Sequence, residues 1–331
     1  FTVAQLNTLF VDGTYTVTRT EINEAEEKLE GTFADWLVKD AEGNILGLPF
    51  WESSVSGCYY NKTLLDELGL TVPKTHEELA AVIETLKANG ITPFASHMVD
   101  TWSIGNVTMQ FAVNDVFNKN AVWGDDFRAG KVSFETSPEY KTAYEYNKLI
   151  YDNTWTDETF SLEQTACDAK MVMGEAAMKV SGSWSIQNFL GIDESYDFGI
   201  FPFPNQTGDA KLLFEPNITF MASAKSEYQD AIHKVFEVIA TDKDLQVAIY
   251  DHTMTAPMVK DVAPTFANPS QTDIDAYAAA GMIQDVNLGN NQLVWGGFQE
   301  ENAKDIAEYL QGNLTIEEVL KASDARRDNS K

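Results

Sequence analysis

Four tryptophans share a sequence setting in which a flat ring could bind a ligand. Each stands where a predicted strand or loop ends, beside Gly, Ser, Asp or Asn. They are Trp51 in PFWESS, Trp102 in VDTWSIGN, Trp184 in SGSWSI and Trp295 in LVWGGF. A ring flanked by small polar residues suits stacking on a sugar face, while nearby carboxylates and amides accept or donate the hydroxyl hydrogen bonds. Core packing stays the alternative for any single tryptophan, but four in one kind of setting favour a shared site.

Patterns typical of catalysis or nucleotide binding are missing from the sequence. It has no G-x-G-x-x-G after a predicted strand, no P-loop, no G-x-S-x-G and no H-E-x-x-H. The four histidines lack metal-ligand spacing, although His97 follows a predicted strand and a site role for it stays open. We therefore expect no cofactor and no metal. A glycoside-active enzyme that pairs Glu52 with a second acid is the alternative function.

Charge and cysteine content exclude further classes. The formal net charge is −28, from 51 acidic and 23 basic residues, which would repel nucleic acid. Apolar runs fall well short of the roughly 18–20 residues that a membrane-spanning helix needs. The two cysteines, Cys58 and Cys167, do not have metal-site spacing, and one disulfide and two free thiols are both compatible with the sequence.

The clearest predicted helix lies in VPKTHEELAAVIETLKANGI. Thr75 and Glu78 have the spacing of a capping box, and Gly90 supplies the stop. Its apolar residues recur at helical spacing on one face: Leu79, Val82, Ile83 and Leu86. Predicted strands flank this helix, as expected for an α/β fold.

A second amphipathic helix is predicted in SEYQDAIHKVFEVIAT. It follows the predicted strand NITFMAS, so the strand–helix alternation recurs late in the chain. Its apolar residues also share one face, which we expect to pack in a core: Ala231, Val235, Phe236 and Ile239.

The stretch LPFWESSVSGCYYNK, residues 48–62, differs in composition from a usual core strand. Apolar residues flank a carboxylate and a run of small residues, Ser53, Ser54, Ser56 and Gly57. Buried strands prefer branched and bulky apolar side chains. We therefore interpret this stretch as a crossing between two lobes.

The longer segment GLPFWESSVSGCYYNKTLLDELGLTVPKTHEELAAVIETLKANGITPF carries a specific resemblance. It resembles the central segment of extracellular solute-binding proteins of carbohydrate ABC transporters, the maltose-binding-protein-like family. Gly47 and Pro49, Tyr59 to Lys62, and Pro73 to Thr75 follow one another in the family's order. MGEAAMKVSGSWSI, ITFMASAKSEYQDAIHKVFEVIAT, HTMTAPMVKDV and LTIEEVLKASDAR are similar to later family segments.

This resemblance implies an α/β fold of two lobes, with hinge crossings and a central ligand cleft. The crossings would fall near Phe50 to Val55 and near Glu215 to Asn217. Because only 47 residues precede Leu48, we expect the N-terminal part of lobe 1 to be missing. The implied bounds are 1–50 and 217–280 for lobe 1, and 51–216 and 281–331 for lobe 2.

The resemblance also implies a ligand site. Trp102 with Asp100, Trp184 and Trp295 occupy ligand-stacking positions of the family, and the two crossings supply polar groups. Strand alternation lets only one of Trp51 and Glu52 face the ligand if that segment is regular. The expected ligand-binding residues are Trp51, Glu52, Ser53, Ser54, Asp100, Trp102, Ser183, Trp184, Glu215, Asn217 and Trp295.

The function that the resemblance implies is transport without catalysis. The bacterial protein would bind a carbohydrate, an oligosaccharide or a disaccharide, and deliver it to the permease subunits of an ABC importer. We expect a monomer outside the cytoplasm, in the periplasm or as a cell-surface lipoprotein. Membrane association would then require a lipid anchor that the printed chain does not contain.

Overall fold

The computed structural model describes the backbone of residues 38–39, 45–223, 225–255, 262–286 and 298–327. Within these ranges, side chains are described for 54–214, 221–223, 225–255, 262–286 and 298–327. The chain forms two compact units. Unit 1 takes in the described residues of Phe1–Ser54 and Glu215–Ala267, and unit 2 those of Val55–Phe214 and Asn268–Lys331.

Strands and helices are interspersed along the described residues. The strands are β1 (Val38–Lys39), β2 (Ile45–Asn61), β3 (Thr92–Phe94), β4 (Ala176–Gly182), β5 (Phe198–Phe201), β6 (Leu212–Phe220) and β7 (Ile283–Asp285). The helices up to β6 are α1 (Lys62–Glu67), α2 (His76–Ala88), α3 (Thr101–Ala112), α4 (Trp123–Arg128), α5 (Pro138–Asp152), α6 (Gln164–Val172) and α7 (Ile186–Ile192). Those after β6 are α8 (Gln229–Thr241), α9 (Lys243–Thr253), α10 (Gln271–Ala279), α11 (Phe298–Leu310) and α12 (Ile316–Ala325).

The sheet joins strands that are distant in sequence. Its order is β3-β4-β2-β6-β7, and β1 and β5 also pair with β2. Strand β4 runs antiparallel to β2, from Ser56↔Gly182 to Tyr60↔Met178, and parallel to β3. The predicted mixed α/β fold with two lobes is therefore confirmed.

Two of the three boundaries between the units fall inside strands, and the third lies between Ala267 and Asn268. One lies in β2, between Ser54 and Val55, and another lies in β6, between Phe214 and Glu215. The stretch interpreted as a crossing is thus part of a continuous 17-residue strand. The lobe bounds inferred from the sequence, with changes after residues 50, 216 and 280, stay a prediction.

The small residues of β2 have a packing reason. A Cβ on Gly57 would lie 2.8 Å from the carbonyl oxygen of Phe201 and 2.6 Å from a methyl carbon of Leu212. Ser54 and Ser56 are buried as well. Close packing against neighbouring strands, rather than freedom to bend, therefore explains why Gly57 stands in this strand.

Helix α2 forms as its sequence predicts. Thr75 Oγ accepts a hydrogen bond from the backbone N–H of Glu78, and the Glu78 carboxylate accepts one from the N–H of Thr75. The predicted apolar face is buried in the core of unit 2: Leu79, Val82, Ile83 and Leu86. Capping fixes where the helix begins, and burial of this face stabilises it against the sheet.

The two cysteines are free and fully buried in unit 2, which decides between the alternatives left open by the sequence. Burial raises the pKa of the Cys167 thiol to about 11, although the Lys179 ammonium opposes the shift. Burial also raises the pKa of Cys58. Both side chains therefore act as small apolar core residues and not as nucleophiles.

None of the helices in the described part of the chain is both long enough and apolar enough to cross a bilayer.

Candidate functional site

A parallel strand pair brings together two of the loops that contain site tryptophans. Strands β3 and β4 pair in parallel, with Thr92 opposite Ala176 and Phe94 opposite Met178. Trp102 follows β3, and Trp184 follows β4. Because the carboxyl ends of parallel strands meet at the same edge of a sheet, the loops after them converge, and ligands of α/β proteins bind at such edges.

The rings of Trp102 and Trp184 are in contact at this edge. Their centroids lie 6.1 Å apart with an interplanar angle of 74°, so one ring stands edge-on to the other. Trp102, in the first turn of α3, is 42% exposed, and Trp184 is half-buried. We call Trp102 and Trp184 the indole pair. An exposed ring beside a second ring gives an apolar surface that a flat ligand face can cover.

The segment after β4 holds Trp184 in place. A Cβ on Gly182 would lie 2.1 Å from the Trp184 ring, so this ring position requires glycine. The Ser183 hydroxyl accepts a hydrogen bond of 3.2 Å from the backbone N–H of Val55, which ties the turn to β2. The hydroxyls of Ser181 and Ser185 are 2.9 Å apart and close the turn on its other side.

The loop before α3 ends in an exposed carboxylate that stands two positions before Trp102 in the chain. Asp100 is the N-cap residue of α3, but its side chain makes no capping hydrogen bond. The Ser103 hydroxyl instead donates to the carbonyl oxygens of His97 and Asp100, at 2.6 and 2.8 Å. Asp100 is exposed, so its carboxylate can accept hydrogen bonds from a ligand beside Trp102.

His97 lies beneath the indole pair and is neutral. Its ring stands edge-on to Trp102, with centroids 5.4 Å apart. The side chain is almost fully buried, and this burial, together with the Lys179 ammonium, lowers its pKa to about 3. A cationic imidazolium is thus excluded at neutral pH, and the site gains no positive charge from this residue.

Lys179 is held by a buried ion pair. Its ammonium donates to one oxygen of Asp168, and the Asn188 amide donates to the other at 2.8 Å. Burial is the largest single influence and favours the neutral amine, but Asp168 and Cys167 together outweigh it, and the pKa of Lys179 is raised. This ion pair holds the Lys179 ammonium close enough to His97 to lower the pKa of the imidazole.

Two buried nitrogen atoms at the indole pair make no hydrogen bond with any described residue. They are His97 Nε2 and Trp184 Nε1. A small cavity of about 20 Å³ lies against His97, Lys179 and Asn147, which is room for a single water molecule. This cavity therefore has no room for a ligand larger than water.

The structure brings four of the predicted site residues into one place in unit 2: Asp100, Trp102, Ser183 and Trp184. Ser54 is buried in β2 and precedes Val55, whose backbone N–H donates to the Ser183 hydroxyl. Whether these residues bind a ligand stays a prediction.

The other predicted site residues lie outside the described side chains. The backbone is described in β2 for Trp51, Glu52 and Ser53, and in β6 for Glu215 and Asn217. Trp295 lies outside the described residues altogether. The choice between Trp51 and Glu52 as the inward-facing residue stays open.

His97 contacts the indole pair, although its sequence context left a role in the site open. Its position after β3, in the same loop as Asp100, was the available signal. Within the described residues, no group of three or more His, Cys, Asp or Glu side chains is placed to hold a metal ion.

Comparison with known proteins identifies the family. The profile of the family described as bacterial extracellular solute-binding protein matches residues 4–246. Over 222 residues the chain is 26% identical to the multiple sugar-binding protein of Streptococcus mutans, covering 66% of this chain and 53% of the relative. Over 263 residues it is 24% identical to a probable sugar-binding periplasmic protein of Mesorhizobium japonicum, covering 75% and 57%. The chain thus spans little more than half the length of these relatives.

Solved structures show the same fold. A chitin oligosaccharide binding protein superposes with a TM-score of 0.77 at 20% identity, covering 97% of this chain and 80% of that one. A sugar transporter from Bacillus licheniformis in complex with stachyose gives a TM-score of 0.75 at 15% identity, covering 96% and 82%. At such identities the likeness shows the fold alone. The extent of the profile match decides the family, and the resemblance found in the sequence is confirmed: this chain belongs to the bacterial extracellular solute-binding proteins.

Proposed function

We propose that this chain is the extracytoplasmic substrate-binding protein of an ABC importer and that it binds a carbohydrate. The ligand is an oligosaccharide or a disaccharide, which the protein delivers to permease subunits in the membrane. The observation that carries the proposal is the indole pair, with Trp102 42% exposed at the carboxyl ends of two parallel strands.

The geometry of the indole pair suits a sugar better than an ion or an amino acid. The axial C–H groups of a pyranose ring pack on the Trp102 face, while the Asp100 carboxylate accepts hydrogen bonds from equatorial hydroxyls. The Trp184 ring stands at 74° to that of Trp102 and therefore limits how far the sugar can shift across the Trp102 face. Neutral His97 places no cation there, so this residue offers no counter-ion to a carboxylate ligand.

The remaining predicted contacts complete the proposed site. Trp51, Glu52, Ser53 and Ser54 would contribute from β2, Glu215 and Asn217 from β6, and Trp295 a further stacking ring. Several rings in one site favour a ligand of two or more sugar units, because each ring covers about one sugar face.

The names of the relatives support the biological setting. Those from Streptococcus mutans and Mesorhizobium japonicum are described as sugar-binding, the latter as periplasmic. We propose that this chain likewise acts outside the cytoplasm, as a monomer in the periplasm or as a lipid-anchored protein at the cell surface. Family members and structural neighbours are binding proteins, and we propose that this chain too performs no catalysis.

Calorimetry against a panel of oligosaccharides tests the proposal. Trp102→Ala and Trp184→Ala should each weaken binding of the identified sugar by about 1–3 kcal/mol while leaving the fold intact. Trp155→Ala is the matched control, because its ring is covered by the Lys170 ammonium, 4.6 Å away, and lies outside the proposed site. Unchanged affinity in both site variants would remove the indole pair from the site.

An enzyme assay tests the alternative function. The purified protein is incubated with the oligosaccharides that it binds, and new reducing ends are measured. We expect none to form. Turnover that disappears in Glu52→Gln would instead establish the glycoside-active enzyme.

A further inference from the structure

One face of helix α3 carries a further polar residue beside the indole pair. Trp102, Asn106 and Gln110 stand four positions apart on this helix. Residues with this spacing lie one above another on the same side of an α-helix, with Cβ atoms about 5–6 Å apart. The three side chains therefore form one stripe along α3, and Asn106 lies in its middle.

Both ends of this stripe contact strand β4 or the turn after it. At one end, the Trp102 ring meets the ring of Trp184. At the other end, Gln110 Nε2 donates a hydrogen bond of 3.3 Å to the carbonyl oxygen of Ser181. Because Asn106 lies between these two contacts on the same face of α3, it faces the same segment of chain.

Hydrogen bonding determines which way the Asn106 amide points. A carbonyl oxygen can only accept, so the part of the Gln110 amide that contacts Ser181 is its NH2 group. The same NH2 group donates its other hydrogen to Asn106 Oδ1 at 2.9 Å. With its oxygen held by Gln110, Asn106 directs its own NH2 group away from Gln110.

The NH2 group of Asn106 is available to a ligand. Asn106 is half-buried, and neither hydrogen of this group is donated to any described residue. Gln110 is 4% exposed and is fixed by its two hydrogen bonds, so it does not turn to accept from Asn106. Two N–H donors are thus held in place without an acceptor, one turn along the helix from Trp102.

Packing within the fold accounts for the buried polar residues of α3 but not for these donors. The Ser103 hydroxyl donates to the carbonyl oxygen of His97, and the Thr108 hydroxyl donates to that of Ile104. Each of these side chains satisfies a main-chain oxygen atom. Asn106 instead uses only its oxygen atom within the fold and leaves its donors unused.

The groups on either side of Trp102 are complementary to a sugar hydroxyl, which donates and accepts at once. The exposed Asp100 carboxylate, two positions before Trp102, only accepts. The NH2 group of Asn106, four positions after Trp102, only donates. A sugar that covers the Trp102 ring therefore meets an acceptor toward the start of α3 and a donor further along it.

We propose that Asn106 is a further ligand-binding residue of the indole-pair site, and that its NH2 group donates to a hydroxyl or ring oxygen of the sugar stacked on Trp102. Gln110 is a positioning residue, because it orients the Asn106 amide without touching the sugar. Sugars that lack an oxygen atom at this place leave the NH2 group unpaired and bind more weakly. The inference rests on the proposed function, since it requires a sugar on the Trp102 ring.

Calorimetry on the full chain tests the inference, with cellotetraose, maltotetraose and raffinose as probes. Asn106→Leu keeps the size of the side chain and removes its donors. Each probe that binds the wild type should bind this variant about five- to tenfold more weakly. Unchanged affinity in Asn106→Leu overturns the inference, and Asn106→Ala decides by the same criterion if Asn106→Leu does not fold.

Asn153→Leu is the matched control. Asn153 is also half-buried, and its amide also makes one hydrogen bond with a described side chain or carbonyl, to Leu149 at 2.9 Å. The control should lose a similar amount of thermal stability and bind each probe as the wild type does. An equal loss of affinity in both variants would show that Asn106 acts only through stability, and it would overturn the inference.

A double-mutant cycle tests the role of Gln110. Gln110→Leu should weaken binding several-fold, because the Asn106 amide is then free to turn. In the Asn106→Leu background the same substitution should have no further effect on affinity. Losses that simply add would show that Gln110 does not act through Asn106 and would overturn its positioning role.

The inference and the proposed function fail in different ways. A probe that binds the wild type and Asn106→Leu alike, but binds Trp102→Ala more weakly, overturns the inference and leaves the proposed function standing. If none of the oligosaccharides binds the wild type, the proposed function is overturned and the role of Asn106 with it.

Discussion

Helices α2 and α8 carry similar amphipathic patterns but differ in how their apolar faces are buried. In α2, which belongs to unit 2, Leu86 is fully buried and Val82 is 5% exposed. In α8, which belongs to unit 1, Val235 is 54% and Val238 36% exposed. The expectation that Ala231 and Val235 pack in a core is therefore wrong in this structure, whereas Phe236 and Ile239 of the same face are half-buried. An amphipathic pattern shows which face of a helix can pack, whereas burial depends on what the rest of the unit places against it.

Unit 2 and helix α8 also differ in the polar groups that they bury. Unit 2 buries a complete ion pair, Lys179 with Asp168, together with a neutral histidine. The described helix α8 buries only Gln229 and Ala240. We therefore expect substitutions in unit 2 to lower stability much more than substitutions on α8.

The largest effect is expected from Lys179→Met. It leaves the Asp168 carboxylate buried without its cation, and the free energy of unfolding should fall by about 3–5 kcal/mol in urea denaturation. Lys148→Met is the control, because the Lys148–Asp152 pair is exposed and should contribute less than about 0.5 kcal/mol. Equal small losses in both variants would show that the buried pair does not stabilise unit 2.

A large effect is also expected from Leu86→Ala. The side chain is fully buried in the core beneath α2, so truncation should lower the free energy of unfolding by about 2–5 kcal/mol. The same denaturation measurement checks it. A loss below about 1 kcal/mol would mean that the face of α2 is no better packed than that of α8.

A smaller effect is expected from the titration of His97. Its pKa is about 3 in the folded chain against 6.5 ordinarily, so the unfolded chain binds the proton first as pH falls. Its contribution to stability is thus present above pH 6.5 and is lost as the pH falls from there toward 3. Between pH 7 and 5.5 the wild type should lose about 1 kcal/mol more than His97→Gln does. Parallel pH profiles of the two proteins would show that His97 is not held neutral.

The smallest effect is expected from Val235→Ala on α8. Because more than half of this side chain is exposed, the free energy of unfolding should change by less than about 0.5 kcal/mol. A loss comparable to that of Leu86→Ala would show that this face is covered in solution and would remove the contrast between the two helices.

Much of the fold follows from short stretches of sequence. The capping box at Thr75 formed as its spacing predicts, because it needs only hydrogen bonds between residues three positions apart. The order of family segments likewise gave the α/β fold and the family. The exposure of the α8 face was not predictable, because periodicity carries no information about distant neighbours.

The candidate site was predictable only in part. The setting of Trp102 and Trp184 pointed to them, but their contact depends on the parallel pairing of β3 and β4, strands some 80 residues apart in the chain. The role of His97 could not be predicted, because a single histidine after a strand does not form a recognisable motif. Burial and a lysine from another strand then determine its charge.

The sequence by itself determined the helix starts, the amphipathic faces, the family and the residue types available for binding. These depend on local hydrogen bonding and on patterns within a few turns of chain. Only the tertiary structure decided that the two indoles touch, that Cys58 and Cys167 stay free, and that Gln110 of α3 donates to Ser181 of β4. Each of these facts depends on strands and helices far apart in sequence packing together, and burial then sets the hydrogen bonding and charge of the groups that meet.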